Sequence, residues 1–192
     1  RTTGFFELNG LTDITEAQMR DIYRYTSGPL PQTYSAFRSC QFRTNLKPVH
    51  SAYWLDLSGM FCDNGILEVC VLPQYYKKGV QTENMRSTFS GCYRLREIVN
   101  VIEAPQIASN SQGLFDAFHN CFALETVWLK KVYDSVDFRH SSKLRLECIE
   151  YLIENATNPN PITLMLHPDV FARVTDEIFA AASEKQISIA TP

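Results

Sequence analysis

The apolar positions in the middle of the chain recur in one repeated pattern. Phe89-Ser90-Gly91-Cys92-Tyr93-Arg94-Leu95-Arg96-Glu97-Ile98 and Phe118-His119-Asn120-Cys121-Phe122-Ala123-Leu124-Glu125-Thr126-Val127 share Phe-x-x-Cys-x-x-Leu-x-x-Ile/Val and start 29 residues apart. A third copy, Phe61 to Cys70, keeps Phe61 and Leu67, with Asn64 at the Cys position and Cys70 at the aliphatic one. Weaker copies flank these three. Phe37 and Cys40 keep the opening pair but place Arg43 where Leu belongs, and Phe138, Ser141 and Leu144 keep the frame until Glu147 breaks it. With 12 Phe and 6 Cys in 192 residues, random placement gives roughly 0.4 Phe-x-x-Cys pairs. Three are present, so a true repeat is the better account.

Each conserved step of the pattern has a structural meaning. Phe, Cys and Leu at intervals of three suit a short, tightly wound segment with one buried side, and Asn64, Gly91 and Asn120 sit where such a turn changes direction. Beyond the Leu the period becomes two, as in Leu67, Cys70 and Leu72 or Leu124, Val127 and Leu129. That switch predicts a helical turn leading into a strand.

These residues resemble the leucine-rich repeats of the BspA-like family, over about residues 36 to 146. The resemblance implies an α/β solenoid in which each unit adds one strand to a continuous sheet. It also implies a surface-exposed or secreted protein of the adhesion and protein-recognition kind; a cytoplasmic or phage-associated setting is the alternative. The sequence departs from the family pattern at Asn100, where an aliphatic residue is expected, and at Tyr75 and Val132, where an Asn commonly follows the strand. Unit spacings of 24, 28, 29 and 20 are uneven. The expected fold is therefore an irregular leucine-rich-repeat array, locally bulged, with helical N- and C-terminal caps.

The flanks supply those caps. Thr15 to Gln18 forms a capping box, with Ile14 and Met19 placed as a hydrophobic staple, which predicts a helix over Glu16 to Tyr25 ended by Gly28-Pro29-Leu30-Pro31. After the repeats, Leu146, Ile149, Leu152 and Ile153 share one helical face, and Asn158-Pro159-Asn160-Pro161 is a break. Ile162 to Leu166 reads as a strand. Pro168 fits the first turn of a helix whose apolar positions, Val170, Val174, Ile178 and Ala182, run on to Glu184, and Ile187 to Ala190 reads as a last strand. Because a stack of repeats leaves its end units open, such distinct ends are needed. The organisation expected is residues 1–35 as an N-terminal helical cap, 36–146 as repeats and 147–192 as a C-terminal cap of helix, strand, helix and strand, all in one cooperative unit.

Composition narrows the function more than it defines it. Acids and bases are mixed along a chain of net charge −3, so no basic stripe for nucleic acid is present. No segment approaches the ~18 apolar residues of a membrane span. The start, Arg1-Thr2-Thr3-Gly4, has no initiator Met and no signal-type apolar run after it, and reads as the interior of a longer precursor.

Candidate chemistry is sparse. The six cysteines (Cys40, Cys62, Cys70, Cys92, Cys121, Cys148) read as small buried residues of the repeat rather than disulfides or metal ligands. His119 stands two residues from Cys121, but Cys121 points inward in the repeat frame while His119 falls in a turn. His50, His140 and His167 complete the histidines, and no Cys-x-x-Cys, His-Glu-x-x-His or Gly-x-Ser-x-Gly pattern occurs. The eight glycines form no phosphate-binding loop, so no cofactor is expected. Asp134 with Asp137, and Asp176 with Glu177, read as solvated faces rather than acid/base pairs. Asn155-Ala156-Thr157 is a formal glycosylation sequon.

One surface carries a sharper expectation. With Leu67, Cys70 and Leu72 inward, Val69 and Val71 face outward, and the same frame turns out Glu97 and Val99, then Thr126 and Trp128. Side by side these six make a partly apolar ladder centred on Trp128, of the kind that anchors recognition; the alternative is that the caps or another part of the chain cover it. The function expected is non-enzymatic binding of a protein or glycan. The second reading is a structural or assembly component of a bacterial surface or phage tail, in which copies of the chain join.

Overall fold

The structure, a computed structural model, describes residues 29–30, 53–54, 58–70, 85–103 and 113–192. The expected N-terminal helix, the Phe37 copy, Val71, Leu72 and Tyr75 lie outside them. Pro29–Leu30 (β1) and Tyr53–Trp54 (β2) form a two-stranded parallel pair. Val69–Cys70 (β3), Glu97–Glu103 (β4) and Thr126–Lys130 (β5) form a parallel sheet in that order. Val136–Phe138 (β6), Ile162–Leu166 (β7) and Ile187–Ala190 (β8) form a second parallel sheet. The helices are Leu146–Glu154 (α1), Pro168–Phe171 (α2) and Asp176–Glu184 (α3).

The Phe-x-x-Cys segments form turns whose backbones bond to the next copy. Phe61 and Asp63 donate N–H to the carbonyls of Thr88 and Ser90; Phe89 and Gly91 donate in the same way to Ala117 and His119. Alternate residues thus tie each copy to its neighbour, as in a parallel ladder. Two left-handed positions recur with the repeat. Gly59, Ser87 and Asp116 have φ of 60°, 55° and 52°, and Asp63, Gly91 and Asn120 have 61°, 76° and 59°. Asp and Asn tolerate this region better than most L-residues because their short polar side chains bond locally. Gly91 has a further reason to be glycine, since a Cβ there would stand 2.6 Å from Asp63 Oδ1.

Inside, the repeat phenylalanines stack. Phe61, Phe89 and Phe118 lie with ring centroids 5.9 and 6.0 Å apart and nearly parallel planes, and Phe138 continues the column at 4.9 Å. All four are buried. Leu67, Leu95, Leu124 and Leu144 are also buried, one per copy, beside Ile98, Val127 and Leu129. Each such side chain is worth about 1.5–3 kcal/mol relative to exposure.

The secondary structure changes hands at the fourth copy. On one side β3, β4 and β5 are followed not by a strand but by α1: Arg145 N–H donates to the Glu125 carbonyl at 3.0 Å, where Glu125 and Thr126 had donated to Arg96. The residues there explain the switch. Thr126-Val127-Trp128-Leu129 alternates, as a strand requires, whereas Cys148, Ile149, Leu152 and Ile153 are buried at helical spacing among Leu and Glu, which form helix well. On the other side, Phe138 of β6 stacks on Phe118 of a turn, so strands β6 to β8 follow on from the turns.

The run Asp169 to Glu184, read from sequence as one helix, is two. Thr175 accepts the Ile178 N–H through its side chain and has extended backbone, so α3 starts afresh after α2 ends. The signal was a Thr followed by two acids, Asp176 and Glu177, inside an otherwise helical apolar pattern.

Candidate functional site

The face of the β3–β5 sheet that points away from the core holds the described part of the expected ladder. Inward residues Cys70, Ile98, Ile102, Val127 and Leu129 are buried, so their neighbours face out. Val69, half-buried, stands opposite Glu97, and Glu97 opposite Thr126. From there the register shifts: Val101, not Val99, stands opposite Trp128, because residues 97 to 101 of β4 face only 126 to 128 of β5. This irregularity lies between Glu97 and Val101, a segment that contains Asn100, where the sequence departs from the aliphatic pattern. Val99 and Val101 are each 47% exposed, and both belong to the surface. Val101 is the residue that a strict 29-residue frame missed.

Trp128 is half-buried. Its ring meets Tyr151 of α1 edge-on at 5.4 Å, so the helix that takes the next strand's place shields one side of it. The apolar patch is bounded by ion pairs. Arg96 meets Glu68 at 3.1 Å and Arg145 meets Glu125 at 3.9 Å below the strands; Glu103 meets Lys130 at 3.7 Å and also Lys131 above them. These partly exposed pairs are worth little in stability, but they fix a polar rim around the valines and Trp128.

Cys92 and Cys121 are engaged in the repeat. Cys92 Sγ lies 3.1 Å from the Phe61 carbonyl and Cys121 Sγ 3.1 Å from the Phe89 carbonyl, each donating to the preceding copy. Ser141 does the same with its hydroxyl to the Cys121 carbonyl at 3.1 Å, and buried Asn64 donates to Phe61 O at 2.8 Å. Burial pushes the thiols of Cys70, Cys92 and Cys121 well above the ordinary value. Such thiols are not nucleophiles.

His119 is exposed and its ring sits edge-on to His140, centroids 4.6 Å apart. His140 Nδ1 accepts the Asn120 N–H at 2.9 Å, and burial, then the neighbouring His119, push its pKa down. Because Cys121 points into the core and His119 out of it, they make no dyad. Phe122 and Tyr93, about half exposed, stack at 5.9 Å beside this pair. Among the described residues, no group of three or more His, Cys, Asp or Glu side chains is placed to hold a metal ion. Asn155, the sequon residue, closes α1 and donates its side-chain amide to Tyr151 O at 2.9 Å. No described helix is long and apolar enough to cross a membrane. Compared with known proteins, the chain matches no family model, no curated protein and no solved structure.

Proposed function

We propose that the protein is an irregular leucine-rich-repeat solenoid of the BspA-like kind, with helical caps, and that it serves as a non-enzymatic binding module for a protein or glycan, in adhesion at a cell surface. The recurrence of the Phe column, the left-handed positions and the thiol bonds at steps of 28 and 29 residues supports the architecture. The observation that carries the function is the exposure of Val99 and Val101 beside Trp128 on a hydrogen-bonded sheet with an ion-paired rim. Aliphatic and aromatic groups on a rigid frame lose little conformational freedom on binding, which is how a small patch becomes an anchor. The test is an array of purified surface proteins and glycans probed with the native chain and with Val101→Asp. Binding that the variant loses supports the reading, and binding that it keeps assigns recognition elsewhere.

An assembly role is the second reading, favoured by β8, which pairs within the described residues with β7 alone. Sedimentation of the native chain separates the two: a stable oligomer that excludes array ligands favours assembly.

A further inference from the structure

A groove of about 320 Å³ runs between α1 and α3. Its floor is apolar: Ile153 and Ile178 are buried at its base and Ala181 lies along it. Its walls carry Glu150 and Glu154 from α1, and Glu177 and Glu184 from α3. All four carboxylates are exposed.

The charge is segregated beyond what the composition requires. The chain has 21 acids to 18 bases, but α1 and α3 hold six acids, Glu147, Glu150, Glu154, Asp176, Glu177 and Glu184, and no base. The topology concentrates the effect. Strands β6, β7 and β8 are parallel and each helix returns the chain between consecutive strands, so α1 and α3 point the same way. Their carbonyl ends, where the helix dipole is negative, therefore lie at the same end, and there each helix carries a glutamate, Glu154 or Glu184, and no base in its last turn. Lys185, just past α3, offers a single opposing charge at the groove. Like charges set against two dipole ends are unfavourable in the free protein and favour whatever cation lies between them.

We infer that this groove docks a basic amphipathic segment of a protein partner, whose Lys or Arg side chains lay their aliphatic stems on Ile153, Ile178 and Ala181 and reach the flanking glutamates with their charged heads. The charge excludes nucleic acid and anionic lipid. A bare divalent ion does not fit, since among the described residues no three acidic or other donor side chains are placed to hold one. The volume is at the small end of the roughly 300–1,000 Å³ of ligand sites, the scale of one or two long side chains rather than a folded domain. An apolar floor with acidic walls is the complement of a helix that carries bases beside an apolar stripe.

The probe is a fluorescently labelled helical peptide of leucine and lysine, titrated into the whole chain by anisotropy, with a leucine–glutamate peptide as its mirror in charge. Two variants with equal loss of charge are compared: Glu154→Gln/Glu184→Gln in the groove, and Glu147→Gln/Asp169→Asn outside its lining. All four positions are exposed, and circular dichroism verifies that both variants fold. The expected result is binding of the lysine peptide alone, weakened about tenfold by the groove variant and less than about twofold by the other. Equal weakening by both variants would reduce the attraction to net charge and overturn the proposal, as would no binding. Calcium binding or self-association abolished in the groove variant would assign the groove to an ion or a second copy and overturn it equally.

Discussion

Cys121 donates its thiol to the carbonyl of Phe89, 3.1 Å away and 32 residues earlier, as Cys92 does to Phe61. The cysteine of the motif is therefore a donor that ties copy to copy as well as a small core residue. Phe89 O also accepts the Cys92 N–H, so removing the thiol leaves that carbonyl one partner. Cys121→Ala is expected to cost about 1–3 kcal/mol, from the lost bond and the small cavity together. Cys121→Ser, which keeps a donor as Ser141 does in the following copy, is expected to cost less. Urea unfolding of both variants measures the difference. Thiol labelling followed by mass spectrometry should modify Cys92 and Cys121 only after unfolding.

Gly91 is held at φ 76° directly beneath Asp63. Gly91→Ala meets the left-handed penalty, roughly 1–2 kcal/mol, and sets its Cβ only 3.3 Å from the Asp63 Cα, a tight contact with backbone. A loss of stability larger than the backbone term alone is expected. Asn120→Gly, at the equivalent position of the next copy, should leave the thermal midpoint nearly unchanged or raise it.

The sequence made the turns and inward residues legible because Phe, Cys and Leu each fill one buried position per copy, and burial leaves a strong periodic mark. The strand β7 and the helical face of α1 were legible for the same reason. What was hidden depended on register. Trp128 faces Val101 because β4 accommodates two extra residues, and the sequence marked the disturbance at Asn100 without saying which valine would be shifted into place. The groove between α1 and α3 was invisible because its walls come from segments whose glutamates, read one at a time, are ordinary solvated residues. The break at Thr175 was overridden in sequence by the four-residue spacing of Val174, Ile178 and Ala182.

His140 sets a pH dependence. Its protonation would bury a cation, set it against His119 and remove the acceptor from the Asn120 N–H, although Asp137 and Asp116 act the other way and Arg139 reinforces the effect. The folded pKa is thus below the unfolded value of 6.5. Between the two values the unfolded chain binds more protons, so stability rises with pH. The contribution is complete above 6.5 and is lost as the pH falls below it through the folded value. Urea midpoints compared across this range should converge between the native chain and His140→Gln as the pH drops.

Tyr151 shields one side of Trp128. Tyr151→Ala should shift the Trp128 emission to longer wavelength and cost about 0.5–1.5 kcal/mol for the lost ring pair, plus the area it buries. A Trp54→Phe background leaves Trp128 as the sole tryptophan. An unchanged emission maximum would place the indole away from this contact.

Binding through the β3–β5 face is tested most directly by the array comparison of the native chain with Val101→Asp. Val101 is 47% exposed, so a charge there disturbs the surface and not the core. The ligands bound by the native chain are expected to be lost in this variant while its circular dichroism and thermal midpoint stay unchanged. Retention of every ligand by that folded variant would contradict binding through this face.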